Sequence, residues 1–278
     1  MPVTTAELFG DPDQWPDQDL VAISEAFGPH LVLAALREGV FPMPIDDDEV
    51  PAELRDAMGW WSPLMRANLP LDRVRVSSSL RKSARHYTTT VDRDFEAVID
   101  RCADPSRPLG WIDDRIARAY LFLHDRGHAH SVETWDSEGR LVGGLYGVSL
   151  GGLFSGESMF HDPEHGRDAS KTALIRLAVE LASTDPRILD VQWLTDHLTS
   201  LGAVEQSRED YLEGLDEALA APPVSWTPPS APRWEGRQVL AAFDSRPCAA
   251  TPDQPAGQGP APGPEPEPGS GAVTEVVR

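Results

Sequence analysis

Asp190 and Gln192 stand two residues apart in the short run from Ile188 to Trp193. Side chains at that spacing on a strand leave the same face, so a carboxylate and an amide are offered together to one partner, either a reacting group or a neighbouring helix end. Glu157 is a second polar residue in apolar company, set between Gly156 and Ser158 and flanked by Phe154 and Met159. An unpaired carboxylate in such surroundings is costly, so it requires a partner, whether a substrate group or the backbone of the following turn. His128 and His130 also share a face, but no third ligand at suitable spacing accompanies them, and no metal site is expected. Upstream, Arg66, Arg73, Arg75, Arg81, Lys82 and Arg85 fall in one stretch, opposed only by Asp72 and followed by Tyr87. Charge of that density is the footprint of a protein that grips the end of a nucleic-acid strand, and equally that of a solvated loop or edge strand.

The elements that carry these groups follow from periodicity. HAHSVETW, LVGGLYGV and LFSGESMF alternate apolar and polar residues at strand length, with DSEGR and SLGG between them, and predict an antiparallel meander. Ala169 to Ala182 then puts Ala173, Leu174, Leu177, Ala178 and Leu181 on one helical face, and Ile188 to Trp193 returns as a short, mostly buried strand. Meander, helix and strand in that order predict an α+β fold laid out like an N-acetyltransferase, a mixed sheet with flanking helices. Leu145, Phe154, Met159 and Leu189 are spaced so that several share the inner face of this sheet. Hydrophobic core is the plainer reading of each alone.

Residues 1–62 are expected to form a small N-terminal α/β domain, with a helix from His30 to Glu38 that Gly39 ends. Val40 to Pro44 is too rich in proline for a helix or a central strand and should be an ordered apolar loop. Residues 63–221 read as the acyltransferase-like domain, with a strand and helix after Val74, a strand opening at Val91, and helices over Phe95 to Cys102 and Asp113 to Arg126. Residues 222–278 are rich in proline and sparse in apolar side chains, which predicts a mostly disordered tail, disordered past about residue 246.

At 278 residues and 40% apolar the chain can bury a sizeable core. It lacks an apolar run of the roughly 20 residues that cross a bilayer, and its first residues are neither basic nor apolar, so a cytoplasmic protein is expected. Cys102 and Cys248 are too far apart in sequence, and too few, for a disulfide framework or zinc knuckle. A net charge of -21 argues against binding a whole duplex, but local clusters decide contact with a strand end. The same acidity suits the steering of a cationic chain end.

The wording of these segments goes further than their layout. HAHSVE, LVGGLYGV, LFSGESMF followed by ASK, and LDVQ followed by HLTSLGA, together with GVFPMP at Gly39 to Pro44 and WWSP at Trp60 to Pro63, resemble in order the motifs of the leucyl/phenylalanyl-tRNA-protein transferase family, from about Val21 to about Tyr211. The resemblance implies transfer of Leu, Phe or Met from aminoacyl-tRNA to the α-amine of proteins that begin with Arg or Lys, marking them for degradation. No cofactor, no membrane and a monomeric state are expected. An aminoacyl ester is already activated and an α-amine has a pKa of about 7.7 to 8.0, so positioning and oxyanion stabilisation suffice without a covalent nucleophile. On the matching positions, Asp190 is a base or amine-orienting carboxylate with Gln192 as its companion, and Glu157 meets the donor amino group or terminal ribose, helped by Ser158. Leu145, Phe154, Met159 and Leu189 line the donor side-chain pocket. Tyr120 matches a tyrosine near the aminoacyl-adenosine, Trp60 is a candidate to stack on the terminal adenosine beside Met43 of the FPM loop, and the basic stretch from Arg66 to Arg85 meets the tRNA backbone. Leu36 and Met43 depart from the family, which often carries aromatic residues there.

Two other functions fit the same layout. An acetyl-CoA-dependent N-acetyltransferase needs a glycine-rich pyrophosphate loop between meander and helix, where this chain reads HDPEHGRDASK with one glycine. A non-catalytic binder of aminoacyl-tRNA or peptide is the other.

Overall fold

A computed structural model describes residues 8–45, 57–107, 110–182 and 187–246. β1 (Leu20–Ser24) leads into α1 (Pro29–Arg37), which has proline in its first turn and is followed by Gly39 in a left-handed conformation at φ 76°. β2 (Phe41–Pro44) and β1 flank β3 (Met58–Trp61) in a three-stranded antiparallel sheet. The Val40 to Pro44 segment, expected as a loop, is therefore largely a strand. It lies at the sheet edge, where prolines without N–H groups leave no ladder bond unmade.

The chain continues through β4 (Met65–Asn68), α2 (Ser78–Ala84), β5 (Thr88–Val91), α3 (Phe95–Cys102), α4 (Asp114–Asp125), β6 (Ala129–Trp135), β7 (Leu141–Leu150) and β8 (Leu153–His161). It then passes α5 (Ala169–Leu181), β9 (Ile188–Gln192), α6 (Asp196–Leu201), β10 (Val204–Ser207), α7 (Arg208–Ala220), β11 (Trp234–Glu235) and α8 (Gly236–Asp244). Eight strands make the large sheet in the order β10-β4-β9-β8-β7-β6-β5-β11. The predicted meander is β6, β7 and β8, and β8 with β9 is the parallel pair, joined across α5. The fold is α+β. The segment after Val74 is extended and turn-like up to α2, with no strand, and Val91 ends β5 instead of opening it.

Two apolar layers cover the large sheet. One carries Val98 and Ile99 of α3, Ile116 and Tyr120 of α4, and Val32 and Leu36 of α1; the other carries Leu80 of α2, Ala173 to Leu181 of α5 and Leu240 of α8. Phe41 and Trp60 of the small sheet belong to the first layer, in one cluster with Tyr146 and Val148. The described residues among the first 62 thus share a core with the rest, and the described chain up to Arg246 packs as one unit, not as a small domain beside a larger one.

Residues 222–246 are a correction to the expected tail. β11 pairs with β5, α8 lies on α5, and Trp226, Val239, Leu240 and Phe243 pack into the second layer. A handful of large apolar residues suffices there, and an average over a proline-rich stretch conceals them. Docking is close: a Cβ on Gly236 would stand 1.8 Å from the carbonyl oxygen of Ala84. Because α8 covers α5, even Arg176 of α5 is buried, and it pairs with Glu180 at 2.7 Å with its guanidinium 3.9 Å from the centre of the Trp234 ring. The remainder of the expected tail lies outside the described residues. Among the described residues no helix is long and apolar enough to cross a membrane.

Candidate active site

β8 and β9 pair only at Leu153 with Ile188, Phe154 with Leu189, and Ser155 with Asp190. β8 runs on to His161, so from Gly156 its edge toward β9 is open and the two strands part. A bulge falls at this point: Tyr146 pairs with Ser158 but Gly147 pairs with Gly156, which leaves Glu157 as the extra residue. Bulges re-aim side chains and end pairing. Here the bulge brings Glu157 to the parting, near Asp190.

Asp190 is fully buried and accepts four hydrogen bonds. Arg66 donates Nε to Oδ1 at 2.9 Å and Nη2 to Oδ2 at 2.6 Å, the Gln192 backbone N–H reaches Oδ1 at 3.0 Å, and the Tyr211 hydroxyl reaches Oδ2 at 3.1 Å. Arg66 was expected on the tRNA backbone, and this is corrected. It is 1% exposed, donates a third bond to the Gly39 carbonyl at 3.1 Å, and has the rings of Phe41 and Tyr211 at 4.6 and 4.5 Å. Burial works against its charge, but Asp190 outweighs burial and raises its pKa. Burial and then Asp190 push the Tyr211 phenol well above the ordinary range. The carboxylate of Asp190 thus has its lone pairs occupied by these donors.

Gln192 follows with φ 59°, a left-handed conformation rare for a residue with a side chain, and its Nε2 donates to Ser155 Oγ at 3.1 Å. Next to it Trp193 meets Phe41 at 4.9 Å and Trp61 at 5.8 Å, edge to face, and its Nε1 donates to Asp19 at 3.0 Å.

Glu157 is the group left with capacity. Its Oε1 is out of reach of solvent and without a hydrogen bond of good geometry, as are the hydroxyls of Tyr120 and Tyr146. Burial pushes its pKa up to about 7, and the nearby Tyr120 hydroxyl, Ser155 and Arg66 only partly oppose this. Ser158 lies beside the Cys102 thiol, which burial pushes up to about 11.

The apolar residues expected around the donor divide. Leu145, Phe154 and Leu189 are buried in the layer beneath α5, the face opposite Tyr146, and Phe154 packs on Trp226 at 5.6 Å. Strand alternation causes this: neighbours Leu189 and Asp190 must point to opposite faces. Met159 packs on that layer but stays partly exposed. Trp60 is fully buried against Phe9 and Phe27 and donates to Ser24, so it offers no stacking face. Met43 is half-buried, and its carbonyl holds the Trp61 indole N–H at 3.2 Å. Tyr120 is buried at 5.5 Å from Tyr146.

Of the basic stretch, Arg73, Arg75, Lys82 and Arg85 are exposed. Arg81 forms a two-point pair with Asp244 of α8, at 2.7 and 2.9 Å. Tyr87 is buried, with its hydroxyl on the Arg167 carbonyl at 2.8 Å, and is not a stacking partner for a base. Among the described residues no group of three or more His, Cys, Asp or Glu is placed to hold a metal ion. His130 instead meets Asp92 at 2.7 Å and stacks on Trp226.

Tyr211, Phe41 and Trp193 were missed in the sequence. The available signal was Arg66 itself: in Met65-Arg66-Ala67 a strand carries one charge among apolar neighbours, and an inward charge demands an acid and a stacking surface.

Acids, an amide and phenols, with no histidine or thiolate among the described residues facing Asp190, make a site for proton handling and positioning of a reactant that arrives already activated. An acyl-group transferase is the class this describes. The chain belongs to the leucyl/phenylalanyl-tRNA protein transferase family, whose sequence model matches residues 68–216. It is 48% identical over 199 residues to the leucyl/phenylalanyl-tRNA–protein transferase of Rhizorhabdus wittichii, covering 70% of this chain and 76% of that one. Similarity to the same-named proteins of Rhodopseudomonas palustris, strain TIE-1, and Maridesulfovibrio salexigens is 47% over 206 residues and 43% over 226, covering 73% and 79% of this chain and 87% and 89% of theirs. Among solved structures, L-PGS from Bacillus licheniformis is 14% identical, with a TM-score of 0.32 over 49% of this chain and 50% of that one.

Proposed function

We propose that this protein is an aminoacyltransferase that moves Leu, Phe or Met from aminoacyl-tRNA to the N-terminal α-amine of proteins beginning with Arg or Lys, creating a signal for proteolysis. The observation that carries the reading is the meeting of Asp190, Gln192 and Glu157 at the parting of β8 and β9, in a chain of this family. The parallel, parting pair beside α5 also supports an N-acetyltransferase-like layout.

The reaction needs an amine nitrogen to attack the ester carbonyl, the C–N bond to form, the C–O bond to the ribose to break, and one proton to move from nitrogen to the ribose oxygen. Glu157, with a pKa of about 7 and an unpartnered oxygen, suits the holding of the amine and the acceptance of its proton. Asp190 is saturated by its four donors and paired with Arg66, so it serves to orient the groups around it. The Gln192 amide serves orientation at the reacting carbonyl. The donor side chain enters past Met159, and Arg73, Arg75, Lys82 and Arg85 present charge to the tRNA end. The ester is its own source of free energy, so no cofactor is required. The reading is of a cytoplasmic protein that acts as a monomer.

An acetyl-CoA pyrophosphate would meet a carboxylate at the start of α5, where Asp168 accepts from Ser83 at 2.9 Å and Lys171 at 3.3 Å. Incubation with radiolabelled Leu-tRNA or labelled acetyl-CoA, and a peptide starting with Arg, tests the assignment. Label should reach the peptide from the tRNA alone. Label from acetyl-CoA alone, or from neither, overturns it in favour of an acetyltransferase or a binder.

A further inference from the structure

We propose that Arg66 is a positioning residue of the transfer site, which acts through Asp190 to hold Gln192 in the backbone conformation that turns its amide toward Ser155 and the parting of β8 and β9. The proposal rests on the transferase reading above. An arginine that served only to carry charge to a phosphate would be exposed; Arg66 is 1% exposed, and its N–H groups reach Asp190 of β9 twice and the Gly39 carbonyl once. Rings from β2 and α7 lie over its guanidinium, at 4.6 Å for Phe41 and 4.5 Å for Tyr211. Its plane is therefore fixed by groups on four parts of the chain. A fork so held fixes in turn the plane of the carboxylate it grips.

That plane matters because of the next link. Asp190 Oδ1 takes the Gln192 backbone N–H at 3.0 Å, and Gln192 sits at φ 59°. A non-glycine residue in this region is strained and persists only where its surroundings over-determine it. Without Arg66, Asp190 loses two of its four donors and is free to turn, and the N–H bond that keeps Gln192 in place loosens. Lysine cannot substitute, because a single ammonium fixes no plane. The expected consequence is a misplaced amide at the reacting centre, which lowers turnover and leaves substrate binding largely intact.

The test is steady-state transfer from Leu-tRNA to an Arg-peptide with the full chain. Wild-type activity comes first, since its absence would overturn the transferase reading and the positioning role with it. Arg66→Lys should lower kcat about tenfold or more, with KM for both substrates within about threefold of wild type. Gln192→Ala should then cost much less in the Arg66→Lys background than alone, because both changes break one linkage. Wild-type kcat in a folded Arg66→Lys protein, or losses that simply multiply, would overturn the proposal while leaving the transferase reading in place. Should Arg66→Lys fail to fold, Tyr211→Phe decides: it removes one donor from Asp190 without touching charge, and should lower kcat by a few-fold in the same non-additive way with Gln192→Ala. Full kcat, a loss in KM alone or full additivity in that variant would overturn the proposal.

Discussion

Glu157 keeps its proton to about pH 7, whereas an ordinary Glu releases it near 4.5. Between those values the native protein binds a proton that the unfolded chain has lost, so this group lowers stability as pH rises from 4.5 to 7, and the loss is complete above 7. Glu157→Gln removes that dependence. The Tm of the variant relative to wild type should therefore increase by several degrees between pH 5 and pH 8, and melts at both values check it; an unchanged difference would mean that Glu157 is not held protonated. Asp190→Asn acts the other way, because it leaves the Arg66 charge buried without its counter-ion. It should cost about 3 to 5 kcal/mol in urea denaturation and lower turnover as well; full stability would contradict the buried pair. At this scale the sequence was informative about position and weak about partners. Spacing put Asp190 and Gln192 together, and the apolar setting of Glu157 demanded explanation. Yet whether Arg66 faced solvent or an acid 124 residues away depended on strand pairing that no local pattern contains.

The run from β6 to β9 was legible because its strands alternate cleanly and α5 follows them with a helical period. β11 and α8 were not. Their length is short, proline surrounds them, and their stability comes from docking on β5 and α5, which composition does not report. That dependence is testable at Gly236, where any side chain must displace the Ala84 carbonyl. Gly236→Ala should expose Trp234 and loosen α8, read as faster amide exchange in 234–244 and a red-shifted tryptophan emission. Phe243→Ala, in the same helix, should cost about 3 kcal/mol by emptying a buried site. Unaltered denaturation midpoints would mean that this segment adds nothing to the fold.

For the whole molecule, a net charge of -21 has to coexist with a polyanionic donor. The exposed cations Arg73, Arg75, Lys82 and Arg85 are concentrated ahead of and along α2, and Arg81 is already matched to Asp244. Lys82→Ala with Arg85→Ala should weaken aminoacyl-tRNA binding and flatten its salt dependence, by about 0.7 in log–log slope for each phosphate no longer neutralised, whereas Arg81→Ala should change the slope less. A slope that responds most to Arg81 would reverse that ranking. The reach of Arg66 from Gly39 to Asp190 carries a different implication, about how such a protein can be divided. The stretch matched by the family model begins at residue 68, two positions after this arginine, so a polypeptide trimmed to that stretch would keep both acids and Gln192 but forfeit the cation that neutralises Asp190. The N-terminal strands are then no interchangeable accessory. Any lineage or designer that replaces them must return a guanidinium, and a surface to stack it on, to the same place.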